Sequence, residues 1–304
     1  MRLVHCACAP DSPTIPGASR HLIPEVPGRG DLAFLDAIAK EVLPVDPTPS
    51  LEEIAKSPSV SHLGEPDFAP QLIDDPLRLI ISGPDSALGA VLTRMMRRDY
   101  LWAEIAYLPA DPASPAAVLW GLSDLSAEQR LTLAVEGPVR PIPCIRNDSG
   151  VAVAGSATLT HTEDAPYIGE IVVDNTVLLS SEPSPGRHSS GRRAPLYYGA
   201  RLVPTVDAPG LAAAAIVGPA QPPARKGWLQ KLARPKPFVA SPVDPTHTPT
   251  GRALQSGGES ILVTVDGIPA PRPVNRVTFY RHLRDVQAVR GDTISRENGQ
   301  NHQV

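Results

Sequence analysis

Three short stretches hold residue types that could bind or transfer charged groups. The first is Ser82-Gly83-Pro84-Asp85-Ser86, lying between the apolar run Leu77, Leu79, Ile80, Ile81 and a second set, Leu88, Val91, Leu92 and Met95, at helical spacing. A glycine-containing turn from strand to helix can bring backbone N–H groups to an anion. Asp85 fits there as a cap for the helix that follows. The second stretch is Leu108-Pro109-Ala110-Asp111, where a strand again runs into a turn. Ser114-Pro115 then supplies a cap residue and a proline at the first helical position. The third, Asp266-Gly267, is a common hairpin dipeptide and also an acidic group at a strand end.

Other groups are less complete. His5, Cys6 and Cys8 are soft metal ligands, but no second cluster with ligand spacing accompanies them, so no metal site is assigned. His161, Glu163 and Asp164 read as a solvated hairpin tip. No Gly-x-Ser-x-Gly elbow is present to support a catalytic triad. The segment QPPARKGWLQKLARPKPF sets Lys226, Lys231 and Arg234 around Trp228, a combination that suits either an anionic membrane surface or a solvated loop.

The elements that must position these groups follow from the apolar pattern. Leu32, Leu35, Ile38, Ala39 and Val42 predict a helix over 31–42 with Asp31 as its cap, and residues 49–54 could start another. A buried strand from Leu77 should feed the helix ending near Arg98, and 103–108 a second strand. The Ser126–Gln129 capping-box pattern opens a further helix that Gly137 stops. Beyond Gly137 come only short β runs: 142–146, 151–159, 168–174, 196–206, 211–217, 261–266, 273–280 and 285–290. Repeated strands without intervening helices predict an antiparallel second domain. The domain plan is therefore an irregular leader over 1–30, an α/β domain over 31–137 and a β-sandwich over 138–290. Pro- and Gly-rich insertions occupy 180–194 and 218–258, and a polar, disordered tail 291–304.

Composition narrows the partners. The 304 residues include 42% hydrophobic side chains, enough for two modest cores, and 36 prolines, which favour turns and edge strands. A net charge of -4 gives the whole molecule no attraction to nucleic acid, and none is expected as a partner. Three cysteines cannot build a disulfide framework, and Cys6 and Cys8 lie too close for ordinary bridge geometry. The apolar start is cut short by proline and acidic residues before signal-peptide length, and no run reaches membrane-spanning length. A cytoplasmic protein is expected.

The three stretches, taken in order, resemble the diacylglycerol kinase catalytic family, part of a group that includes sphingosine kinases and NAD kinases. IISGPDSALGAVL stands where that family has a strand, a Gly-Gly-Asp-Gly-Thr turn and a helix. LPADPASPAAVLWGL resembles its Leu-Pro-x-Gly-Thr-x-Asn-Asp element, matching at Leu108, Pro109, Ala117, Gly121 and Leu122. ILVTVDGIPAP resembles its Val-Asp-Gly-Glu strand. The resemblance covers roughly residues 77–290. It implies a three-layer α/β domain followed by a β-sandwich, with the last strand packing back near the first domain. It also implies ATP and Mg²⁺ as cofactors, a nucleotide or lipid as small-molecule partner, Asp85 and Asp266 as catalytic groups, and Ser82, Gly83, Asp85, Ser86, Pro109 and Asp111 as cofactor contacts.

The departures point elsewhere. Pro84 and Ser86 replace two glycines, and proline has no N–H to offer a phosphate. Asp111-Pro112 replaces Gly-Thr, placing a carboxylate that repels polyphosphate unless a cation intervenes. Ser114-Pro115 replaces Asn-Asp, and Ile268 replaces the acidic residue after Asp-Gly. The pattern implies a pseudoenzyme: a divergent lipid-kinase-like protein that binds nucleotide, lipid or a protein at the interdomain cleft with weak or no ATP-dependent phosphotransfer. An active kinase with rearranged ligands and a non-catalytic structural protein are the alternatives.

Overall fold

A computed structural model of the chain describes residues 1–44, 64–69, 73, 75–163, 165–181, 196–206, 210–218 and 241–291. The helix expected over 49–54, Asp164, the basic segment with Lys226, Trp228, Lys231 and Arg234, and the tail beyond Gly291 lie outside these residues. The chain divides into two compact units, one made of Met1–His62, Pro66–Pro143 and Arg284–Val304, the other of Leu63–Glu65 and Cys144–Leu283.

The first unit is built on a parallel sheet. Strands β1 (Arg2–Ala7), β2 (Ser19–Leu22), β3 (Leu77–Gly83), β4 (Glu104–Pro109) and β15 (Gln287–Val289) lie in the order β15-β4-β3-β1-β2. The segment 1–30, expected to be irregular, therefore contains the strand that sits between β2 and β3. The reason is burial on both sides. Val4, His5, Cys6 and Ala7 are all buried, so β1 shows the near-continuous apolar run of a parallel strand and no alternation. Helix α1 (Ala33–Val42) buries Leu35 and Ala39. Its cap position is Leu32, without a side-chain bond, because the Asp31 carboxylate instead accepts the Gly28 N–H at 2.8 Å.

Helix α2 (Asp85–Arg97) buries Leu88, Val91, Leu92 and Met95 as the spacing predicted, and Arg94 joins it to α1 through a 2.6 Å ion pair with Asp36. Helix α3 (Pro115–Leu119) has Ser114 as cap, accepting the Ala117 N–H, with proline at its first position. Helix α4 (Ala127–Glu136) has both bonds of the capping box between Ser126 and Gln129 and ends at Gly137. It covers the opposite sheet face, where Ala134 joins Ile15, Ile80, Ala106, Leu108 and Val289 in one core. The arrangement is a three-layer α/β unit. The last strand, β15, is parallel to β4, with Ala288 opposite Ile105, so it packs back onto the first unit as the resemblance implied, although the β domain was expected to run to 290.

The second unit is antiparallel throughout: β5 (Ile145–Asn147), β6 (Ala157–His161), β7 (Gly169–Val173), β8 (Thr176–Ser181), β9 (Gly199–Pro204), β10 (Leu211–Ile216), β11 (Thr250–Gly251), β12 (Ala253–Val265), β13 (Ile268–Pro269) and β14 (Val274–Arg281). Strand β12 organises it. Its first half pairs with β7 and its second half with β6, the change falling at an irregularity between Gly257 and Ile261. Two arms thereby face one core, in which Ile171, Val173 and Leu179 meet Leu202, Ala213 and Ala215. Because β12 begins at Ala253, the insertion expected over 218–258 ends earlier than its Gly and Ser content suggested. The strand expected over 151–159 forms only from Ala157, since Ala154, Gly155 and Ser156 send their N–H groups to Asp266.

Candidate functional site

The site grows from the carboxyl ends of β3 and β4. Gly83 pairs with Pro109 across the two parallel strands, and Ala110 continues the ladder by donating to the Gly83 carbonyl at 2.9 Å. The turns carrying Gly83-Pro84-Asp85 and Pro109-Ala110-Asp111 are thus neighbours at one sheet edge, the edge where open α/β sheets place ligands. Gly83 has φ 156°, and a Cβ there would lie 2.9 Å from the Cys8 Cβ. The close approach of the end of β1 requires glycine at this position.

Asp85 is not the cap of its own helix. Pro84 holds that position at φ -75°, ψ 165° without a side-chain bond, and Asp85 is the first helical residue. Its carboxylate, 8% exposed, points to the neighbouring turn. Oδ1 accepts the Tyr107 hydroxyl at 2.8 Å and the Ser114 hydroxyl at 2.6 Å, while Oδ2 accepts the Ala116 N–H at 2.9 Å. Tyr107 also reaches the Gly83 carbonyl at 3.0 Å. The carboxylate therefore ties the start of α2 to the start of α3, and its charge already complements the positive end of α2.

The other residues expected at this edge are dispersed among different tasks. Ser82 is buried, and its hydroxyl meets His5 Nε2 at 2.6 Å inside the sheet. His5 is fully buried; desolvation, and then the charge of Arg20, lower its pKa to about 4, which keeps it neutral at ordinary pH. The Ser86 hydroxyl donates to the Glu25 carbonyl at 3.4 Å. Asp111 is exposed, and its Oδ1 accepts the Ala113 N–H at 2.9 Å in a local turn. Pro109 is half-buried at the strand end.

Asp266 belongs to the second unit and closes the β12–β13 hairpin, with φ 48° at Asp266 and 81° at Gly267. Two successive left-handed residues are what this hairpin turn demands, and the sequence reads it correctly. The side chain does more: it accepts N–H bonds from Ala154 (2.8 Å), Gly155 (2.8 Å) and Ser156 (3.0 Å). Asp174, in the β7–β8 turn, does the same for Arg252 and Ala253. Asp85 and Asp266, the two candidate catalytic carboxylates, thus each accept three hydrogen bonds from donors of their own unit.

Cys6, Cys8 and Cys144 are buried and form no disulfide. Burial pushes the Cys8 thiol up to about 11 and Cys6 further in the same direction, so neither is a ready thiolate. Among the described residues no three His, Cys, Asp or Glu side chains are placed to hold a metal ion, and no helix is long and apolar enough to cross a membrane. The donor set departs from a magnesium-nucleotide site as the resemblance implies it, because Asp85 and Asp266 each already accept three hydrogen bonds from their own unit and Pro84 offers no N–H. Sequence reasoning missed Tyr107 and Ser114 as the partners of Asp85. A signal existed in Tyr107, the one hydroxyl in the buried run Ile105–Leu108, which needed an internal acceptor.

No protein-family model matches the chain, and no curated protein matches it. Solved structures do. An NAD kinase from Archaeoglobus fulgidus in complex with ATP is 14% identical, with 71% of this chain and 81% of that chain covered and a TM-score of 0.38. A diacylglycerol kinase from Bacillus anthracis str. Sterne is 10% identical, with 71% and 76% covered and a TM-score of 0.46. Yeast NADH kinase complexed with NADH is 10% identical, with 71% and 62% covered and a TM-score of 0.36. At such low identities and scores this is a likeness of overall plan, and nothing further is drawn from it.

Proposed function

We propose that the chain is a lipid-kinase-like binding protein that takes a nucleotide or lipid small molecule at the β3–α2 and β4–α3 turns, with weak or no ATP-dependent phosphotransfer. The observation that carries this reading is the Asp85 carboxylate, held by Tyr107, Ser114 and Ala116. A carboxylate that already accepts three hydrogen bonds and ties two helix starts together is poorly placed to reorient toward a metal or a substrate proton. Two neighbouring turns at the carboxyl edge of a parallel sheet support a ligand site there, and the 13-residue helix α2 aims its N-terminus at that edge. Exposed Asp111 disfavours a polyphosphate at this edge unless a cation intervenes. A cytoplasmic protein with a basic segment at 225–236 that touches anionic lipid completes the proposal.

Titration with inorganic phosphate and ATP, each with and without Mg²⁺, tests it by calorimetry. Weak binding that magnesium does not strengthen is expected. Pro84→Gly combined with Ser86→Gly and Asp111→Gly should tighten ATP binding, since each recovered charge-assisted bond contributes about 1.5 to 3 kcal/mol. Tight magnesium-dependent ATP binding by the unaltered protein, with transfer to diacylglycerol, would refute the proposal.

A further inference from the structure

The second unit contains a groove that the preceding reading does not use. It has a volume of about 520 Å³ and is lined by Glu170, Glu259, Ser180, Ser181, Gly257 and Gly258, with Ile168 and Gly169 at its end. The sheet register places its walls. Ser180 of β8 lies opposite Glu170 of β7, Glu170 opposite Gly257 of β12, and Gly257 opposite Arg276 of β14. Four adjacent strands therefore present Ser180, Glu170, Gly257 and Arg276 in one row. The row lies on the solvent face, because Ile171, Ser256 and Val277, the next residues along, are buried.

Gly257 needs explanation. Glycine in a strand costs about 0.5–1 kcal/mol relative to alanine. Here the backbone is not left-handed, and a Cβ would meet nothing within 4 Å. Neither conformation nor packing asks for glycine. Its neighbours differ: a Cβ at Gly169 would lie 2.1 Å from the Gly257 carbonyl oxygen, and one at Gly258 2.4 Å from that of Ile168. What glycine does at 257 is leave a gap in the row, with a carboxylate on one side and a guanidinium on the other. The two flanking strands are about 10 Å apart, twice the strand spacing. Glu170 and Arg276 make no ion pair across the gap; Glu259 adds a second carboxylate to the groove, and Arg276 stands in the row beyond Gly257, outside the groove's own lining.

We infer that this notch binds a small zwitterion, its ammonium group between Glu170 and Glu259 beside the hydroxyls of Ser180 and Ser181, and its acid group over Gly257 toward Arg276. Both charges of the ligand are needed, because an amine alone leaves Arg276 unmatched and an acid alone faces two carboxylates.

The probes are 4-aminobutanoate, 1,4-diaminobutane and butanoate, followed by amide chemical-shift changes at Gly257 and by calorimetry on the full chain. The zwitterion should bind better than either single-charge analogue. Glu170→Gln and Arg276→Gln should each weaken it by about threefold or more, and Gly257→Val should abolish binding while holding or raising the melting temperature. Equal binding of the diamine, or no binding of the zwitterion, overturns the inference. So does a fall in stability on Gly257→Val, which would make the glycine a structural requirement.

Discussion

Removing the Asp85 carboxylate should loosen the first unit by several kcal/mol. Asp85→Ala leaves three donors without their acceptor. Their losses are unequal. Tyr107 retains the Gly83 carbonyl at 3.0 Å, and Ser114, half-buried, can turn to water. Ala116 is fully buried, so its N–H is left unsatisfied. An orphaned buried donor costs about 1–3 kcal/mol, and a lost bond to a charged group about 1.5–3 kcal/mol before rescue. The sum after rescue is about 2–4 kcal/mol. Asp85→Asn should cost less, about 1–3 kcal/mol, because one oxygen still serves the hydroxyls while the amide N–H₂ confronts the Ala116 N–H. Urea unfolding followed by tryptophan fluorescence measures this, with Trp120 as a natural reporter since its ring meets that of Tyr107 edge-on at 6.2 Å. An Asp85→Ala unfolding free energy within about 0.5 kcal/mol of the parent's, the range of ordinary surface changes, would refute the assignment of Asp85 to structure.

Further outcomes follow from the same bonds. Asp266→Ala should destabilise the second unit by about 2–4 kcal/mol, because three consecutive N–H groups at 154–156 lose one acceptor; hydrogen exchange at those amides reads it. Gly83→Ala should be destabilising by about 1–3 kcal/mol through the clash with Cys8, seen as a lowered melting temperature. His5 has a folded pKa lowered from 6.5 to about 4, so the unfolded chain takes the proton first. Stability should be flat above pH 6.5, fall through the window from 6.5 to 4, and level off below it. The loss reaches about 3 kcal/mol at 1.36 kcal/mol per pH unit. His5→Gln should lack this component in urea titrations across that range, and an unchanged pH dependence would contradict the buried neutral histidine.

Local signals carried much of the fold. Ser114-Pro115, the Ser126–Gln129 box and Asp266-Gly267 each announce a cap or turn through neighbours within a few residues, and each forms as expected. The errors arise where partners are distant. Strand β1 has no alternation to betray it, because Val4 to Ala7 are all buried, and its partner β3 lies 75 residues later in sequence. The parallel return of β15 to β4 joins segments 183 residues apart, and only the family resemblance, not a local signal, implied it. The site was legible as two turns at one sheet edge, which the pairing of Gly83 with Pro109 realises. The roles of its carboxylates were not. The donors to Asp85 lie 22, 29 and 31 residues away, and those to Asp266 more than 100. An aspartate bound by distant backbone and hydroxyl groups looks, in sequence, the same as one waiting for a metal.

The central proposal is that phosphoryl transfer is weak or absent because the carboxylates that would serve it hold the fold together. A single experiment addresses it: magnesium-ATP is titrated into the protein with diacylglycerol present, and nucleotide binding and lipid phosphorylation are followed in the same sample. The account predicts weak binding that magnesium does not strengthen, and no phosphorylated lipid. Tight magnesium-dependent binding with turnover, lost in an Asp85→Asn protein whose unfolding midpoint is unchanged, would contradict it.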